Sequence, residues 1–165
     1  MLNVLLDTNI VLDFALARGE WGPSAKRIVD AATDQRLKAI IPATSLKDVY
    51  YISCKQIGKR QSEILIDYLM DVCTIGDVTA ETCRQARIEE EPDFEDGIVA
   101  AVAREQMADI IISRDTSAFE HATAPRINSQ VFVSFFLDAH PRELFFEMKG
   151  DSRRSLESPV RTEGD

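Results

Sequence analysis

The run LNVLL at residues 2–6 stops at Asp7, and from Asn9 to Ala17 the apolar residues fall at helical spacing. Short apolar strands that alternate with helices belong in a mainly parallel sheet covered on both faces. The alternation recurs down the chain. Ser24 to Asp34 carries Ala25, Ile28, Val29 and Ala32 at helical spacing, and Lys38 to Ile41 is a second strand closed by Pro42. A helix opening at Thr44 or Ser45 runs to a stop at Gly58, and Gln61 to Met70 is another. Asp71 to Gly76 predicts a third strand, Thr79 to Glu90 a helix broken by Glu91-Pro92-Asp93, and Phe94 to Met107 a strong helix with close-packing alanines. Asp109 to Ile112 is a fourth strand that ends at Ser113-Arg114-Asp115. Arg126 to Asn128 is a fifth, with Ser129 expected to cap a last helix that ends near His140-Pro141. The pattern predicts an α/β fold, a three-layer α/β/α sandwich around a mainly parallel sheet of about five strands.

Composition narrows the class. A chain of 165 residues, 45% hydrophobic and 28% charged, suits one soluble domain with an ordinary core. No run approaches the ~18 apolar residues of a membrane span, and the start MLNVLLDTN has neither a basic leader region nor a cleavage site. A cytoplasmic protein without a membrane partner is expected. Cys54, Cys73 and Cys83 are odd in number and unclustered, and with His121 and His140 they make no zinc spacing, so buried reduced thiols are expected. The domain is expected over residues 1–140. Residues 141–165 are expected to form a mobile polar tail, since from Lys149 onward four basic residues balance four acidic ones.

Nineteen Lys and Arg against 28 Asp and Glu leave a formal charge of −9, which repels nucleic acid unless cations mediate the contact. The acids are placed suggestively. In a parallel sheet the carboxyl ends of strands and the amino ends of helices share one edge, where ligands bind. Asp7 ends the first strand, Asp48 lies in the first turn of the helix after the second, Asp93 and Asp96 begin the long helix, and Asp115 follows the fourth strand. Crowded carboxylates raise one another's pKa unless a cation neutralises them, and hard oxygen donors in a crevice suit magnesium or manganese. Each acid also has a plainer reading as a helix cap: Asp48 with Ser45, and Asp96 with Asp93.

The segments LLDTNIVLDF (5–14), PATSLKDVYYI (42–52), DFEDGIVAAVA (93–103) and IIISRDTSAF (110–119) resemble those of PIN-domain nucleases, a family that includes the toxin ribonucleases of bacterial toxin–antitoxin pairs. The resemblance spans roughly residues 2–140. It implies a metal-dependent endoribonuclease that hydrolyses RNA phosphodiesters, with Asp7, Asp96 and Asp115 as metal-binding acids and magnesium or manganese as the ion. Asp48 stands where the family usually has a glutamate. Its side chain is shorter by one C–C bond, ~1.5 Å, which favours contact through water. Asn9 and Ser113 look like the family's polar supports, Asp93 and Glu95 flank the site, and Glu95 is expected to point to solvent. For the toxin members an antitoxin protein is the partner, and homodimers are common in the family.

Three other folds or roles compete with this one. A haloacid-dehalogenase-type phosphatase needs a second acid two residues after the first, where this chain has Asn9. A receiver domain needs an acidic pair before the first helix and a lysine after the last strand, and neither is seen. A catalytically inactive PIN-fold scaffold that binds RNA or protein is the remaining alternative, and the Asp48 departure is what favours it.

Overall fold

The computed structural model describes residues 1–138. Leu2–Leu6 is strand β1, with Val4, Leu5 and Leu6 fully buried. It occupies the middle of a five-stranded sheet with β2 (Leu37–Pro42), β3 (Thr74–Gly76), β4 (Ile110–Ile112) and β5 (Arg126–Ile127), in the order β3-β2-β1-β4-β5. All four pairings are parallel. Leu5 pairs with Ile40 on one side and Ile111 on the other.

Successive strand residues face opposite sides. Val4, Leu6, Ala39, Ile41, Ile110 and Ile112 therefore enter one core, and Leu5, Ile40 and Ile111 the other. Helices α1 (Thr8–Ala15), α2 (Gly22–Thr33), α3 (Ala43–Ile57), α4 (Lys59–Val72) and α7 (Ser129–Phe132) pack on the first face. Helices α5 (Ala80–Ala86) and α6 (Phe94–Glu105) cover the second. This is the three-layer sandwich that the alternation predicts.

Two glycines are required by geometry. Gly58 ends α3 with φ of 82°, a left-handed conformation that costs glycine nothing. At Gly97 a Cβ would stand 2.4 Å from the carbonyl oxygen of Ala86, so α5 and α6 touch backbone to backbone there. Residues Gly97 to Ala103 are all buried, which explains the run of small side chains in α6.

Differences from the sequence reading lie at element ends. Helix α5 stops at Ala86 instead of continuing to Glu90, because the chain beyond it is drawn into tertiary contacts: Glu89 pairs with Arg104, and Glu91 Oε2 accepts the Phe119 N–H at 2.5 Å. The last helix is capped by Asn128, whose Oδ1 accepts the Val131 N–H at 2.8 Å. Ser129 lies inside the helix, its buried Oγ 2.7 Å from Ser24 Oγ. From Val133 to Asp138 the helix widens to a π turn. All three cysteines are free, but only Cys73 is buried, where desolvation pushes its thiol up to about 12. The expected tail, residues 141–165, lies outside the described residues.

Candidate active site

Strand order reverses about β1, since the chain fills β2 and β3 to one side and later β4 and β5 to the other. The crevice at the carboxyl ends of β1 and β4 is thus the switch point where parallel sheets bind ligands. Asp7 and the segment Ser113–Asp115 flank it. The Asp7 N–H extends the sheet by donating to Ile112 O at 3.1 Å.

Asp7 is only 7% exposed and its carboxylate is heavily bonded. Oδ1 accepts the Thr8 N–H at 2.6 Å, and Oδ2 accepts Ser113 Oγ at 2.6 Å and Asn9 Nδ2 at 2.5 Å. Burial pushes its pKa up, the Ser113 and Thr8 bonds pull it back, and the charges of Glu95 and Asp115 add to the rise, leaving it raised. Ser113, itself fully buried, also accepts from Asn9 Nδ2 at 3.2 Å and from the Asp115 N–H at 3.0 Å. Asn9 Oδ1 accepts the Arg114 N–H at 3.2 Å. One network therefore ties the start of α1 to the end of β4.

Asp93 is the N-cap of α6, accepting the Asp96 N–H at 2.9 Å, so the cap reading of that pair is realised in Asp93. The Asp96 side chain is the more perturbed. Burial, followed by the charges of Asp93, Asp7, Asp115 and Glu91, pushes it up to about 7. Asp115 is exposed, and its Oδ1 accepts the Ser117 N–H at 2.8 Å and Ser117 Oγ at 2.7 Å, which hold its pKa below the usual range.

Asp48 is not among the charges that raise Asp7 or Asp96. Its Oδ1 lies 2.7 Å from Lys47 Nζ, and α3 has no side-chain cap, because Ser45 is buried and accepts from Thr8 Oγ1 at 2.8 Å. Glu95 is exposed, and its Oε1 also lies 3.5 Å from Thr8 Oγ1. Thr8 and Ser45 are thus neighbours of the site that the sequence reading missed. The nearest signal was Thr8 itself, a hydroxyl beside the first acid.

No three His, Cys, Asp or Glu side chains among the described residues stand close enough together to form a ready-made metal cage. The donor chemistry nonetheless fits a hard divalent cation. Asp7 and Asp96 are both raised, Asp96 partly by the charges of Asp7 and Asp115 and Asp7 partly by those of Glu95 and Asp115, a strain that a cation relieves.

A family model described as a PIN domain matches residues 3–117. No curated protein matches the chain in sequence. Among solved structures, VapBC2 from Rickettsia felis bound to a promoter DNA fragment is 16% identical with a TM-score of 0.60, covering 77% of this chain and 98% of that one. A toxin–antitoxin complex from Klebsiella pneumoniae is 19% identical with a TM-score of 0.57, covering 76% and 97%. VapC20 of Mycobacterium tuberculosis, a toxin that cleaves the sarcin–ricin loop, is 18% identical with a TM-score of 0.54, covering 66% and 86%. At such identities the likeness is one of fold.

Proposed function

The chain belongs to the PIN-domain family, and from that premise we propose that it is a divalent-metal-dependent endoribonuclease of the toxin kind, with an antitoxin protein as its partner. The observation that carries the proposal is the electrostatics beside the switch point of the sheet, where the charges of Asp7 and Asp115 both raise Asp96. Magnesium or manganese is the ion we assign, with Asp7, Asp96 and Asp115 as the residues that would hold it. A bound divalent cation supplies Lewis acidity to a phosphodiester and lowers the pKa of an attacking water.

The chain's own residues do the positioning. Ser113 and Asn9 donate to the same Asp7 oxygen and so fix the orientation of its carboxylate. Asp93 fixes the first turn of α6 and so the origin of the Asp96 side chain. Asp96, near neutrality, holds a proton at its carboxylate when the pocket is without a counter-charge and gives it up when one arrives. Fold similarity to toxin–antitoxin proteins supports the toxin role. The diversion of Asp48 to Lys47 favours the second reading, a PIN-fold scaffold without activity.

Cleavage of single-stranded RNA in magnesium or manganese, with and without chelator, separates the two. Activity is expected with metal, and its collapse is expected in Asp7→Asn and in Asp96→Asn with the fold retained. Cleavage that persists in chelator, or that survives both substitutions, would sink the metal-nuclease mechanism.

A further inference from the structure

A chain of net charge −9 that binds RNA needs a fixed cation beside its acids, and Arg114 is held as one. Its backbone N–H donates to Asn9 Oδ1 at 3.2 Å, and its side chain runs along α1 to Asp13, where Nε lies 3.0 Å from Oδ2. Asn9 and Asp13 are four residues apart on one helix face, about 6 Å along the axis. The arginine is therefore clamped at both ends by a single helix.

Asp13 is fully buried, and neither of its oxygens accepts a hydrogen bond among the described residues, although Nε is close. The N–H does not point along that contact, so the pair is ionic, and Asp13 has the guanidinium as its leading counter-charge. Burial of an unbonded carboxylate is costly. Its effect is to fix the Nε edge of Arg114 inward. The Nη atoms make no hydrogen bond among the described residues, the side chain is 31% exposed, and Cζ lies 5.7 Å from the centre of the Trp21 ring. A flat, preordered guanidinium with its outer donors open is suited to a phosphate, because little rotamer freedom remains to be lost on binding. Of the neighbouring cations, Lys47 is paired with Asp48 and Arg126 Nη1 donates to Ser113 O at 3.4 Å, while Arg18 is the second, smaller counter-charge of Asp13.

We propose that Arg114, set by Asp13 and backed by Trp21, anchors an RNA phosphate adjacent to the one at the acids. This rests on the ribonuclease reading above. Trp21 is the single tryptophan of the chain, so its emission reports on the subsite directly.

The test is binding of a labelled single-stranded oligoribonucleotide to the full chain in calcium, by anisotropy and by Trp21 emission, between 50 and 200 mM salt (roughly the range over which phosphate contacts are resolved). Wild-type protein is expected to bind with a change in Trp21 emission. Arg114→Gln is expected to weaken binding about tenfold, the loss of one charge-assisted contact, and to make the slope of log affinity against log salt shallower by about 0.7. Because Arg114→Gln leaves Asp13 buried without its leading counter-charge, Asp13→Asn/Arg114→Gln is measured beside it and should show the same loss while folding normally. Lys59→Gln, at the start of α4, controls for net charge and should leave the emission change intact. If the folded double variant keeps the wild-type affinity, slope and emission change, Arg114 is only the counter-ion of Asp13 and the proposal falls while the ribonuclease reading stands. Absence of RNA binding by the wild type overturns both.

Discussion

Asp96 is the residue whose environment makes the sharpest demand. Its carboxyl is at the ordinary 3.8 in the unfolded chain and is pushed up to about 7 in the folded one, so folding takes up a proton between those values. Stability of the metal-free protein should therefore fall as pH rises from about 4 to about 7, the penalty being absent below and complete above that window. Asp96→Asn should flatten the profile, though not abolish it, since Asp7 and Asp13 are also raised. Melting curves in chelator from pH 5 to 8 measure this, and equal slopes for both proteins would show that Asp96 is not the group responsible. Asp48 and Glu95 make a paired prediction. With Asp48 already matched to Lys47, and Glu95 leaning toward Asp7 through Thr8, Asp48→Asn should lower RNA cleavage less than Glu95→Gln does. Rates measured side by side decide it, and a larger loss in Asp48→Asn would return that acid to the centre of the site.

At the scale of elements, the acids are only as well placed as the helices that carry them. Helix α6 sits directly on α5 through Gly97, and a methyl group there would meet backbone, which cannot rotate away. Overpacking of this kind costs about 1–3 kcal/mol. Gly97→Ala should lower the melting midpoint by several degrees, at about 2–4 °C per kcal/mol for a chain of this size, and should reduce cleavage as well, because the displaced turn carries Asp96. A variant with unchanged midpoint would mean that α5 slides freely and that the contact sets nothing. Helix α1 is likewise a carrier, presenting Asn9 and Asp13 on one face to the two ends of Arg114. That role was hidden in the sequence because Asp13 sits among apolar neighbours and its partner is about a hundred residues away.

For the whole molecule, metal and fold are linked. A cation that binds only the folded pocket stabilises it, by about 2.7 kcal/mol at a hundredfold excess over Kd. Manganese or magnesium should thus raise the melting midpoint, more at pH 8 than at pH 5.5, because protons compete for the same carboxylates. No shift at millimolar metal would leave the acids as structural groups and favour the scaffold. Residues from Lys149 onward have no periodic apolar face in the sequence, and their deletion is expected to leave the midpoint nearly unchanged. A drop of more than a few degrees would mean that they dock on the domain.

The layered architecture was legible because it is written in local periodicity. Repeats of 2 and 3.6 state which face of each segment is buried, and a strand apolar on both faces, such as Leu2–Leu6, states that it lies inside a sheet. The position of Asp7, Asp96 and Asp115 at element ends was legible for the same reason, since the ends of such elements share one edge. Periodicity is silent on which side chains meet across that edge. Thr8 meets Glu95 across 87 positions, Asp7 meets Ser113 across 106, and Asn128 displaces Ser129 as a cap because Ser129 is taken by Ser24. Those choices depend on the offset and tilt of packed helices, set by contacts such as Gly97 on Ala86. Only the tertiary structure decides them.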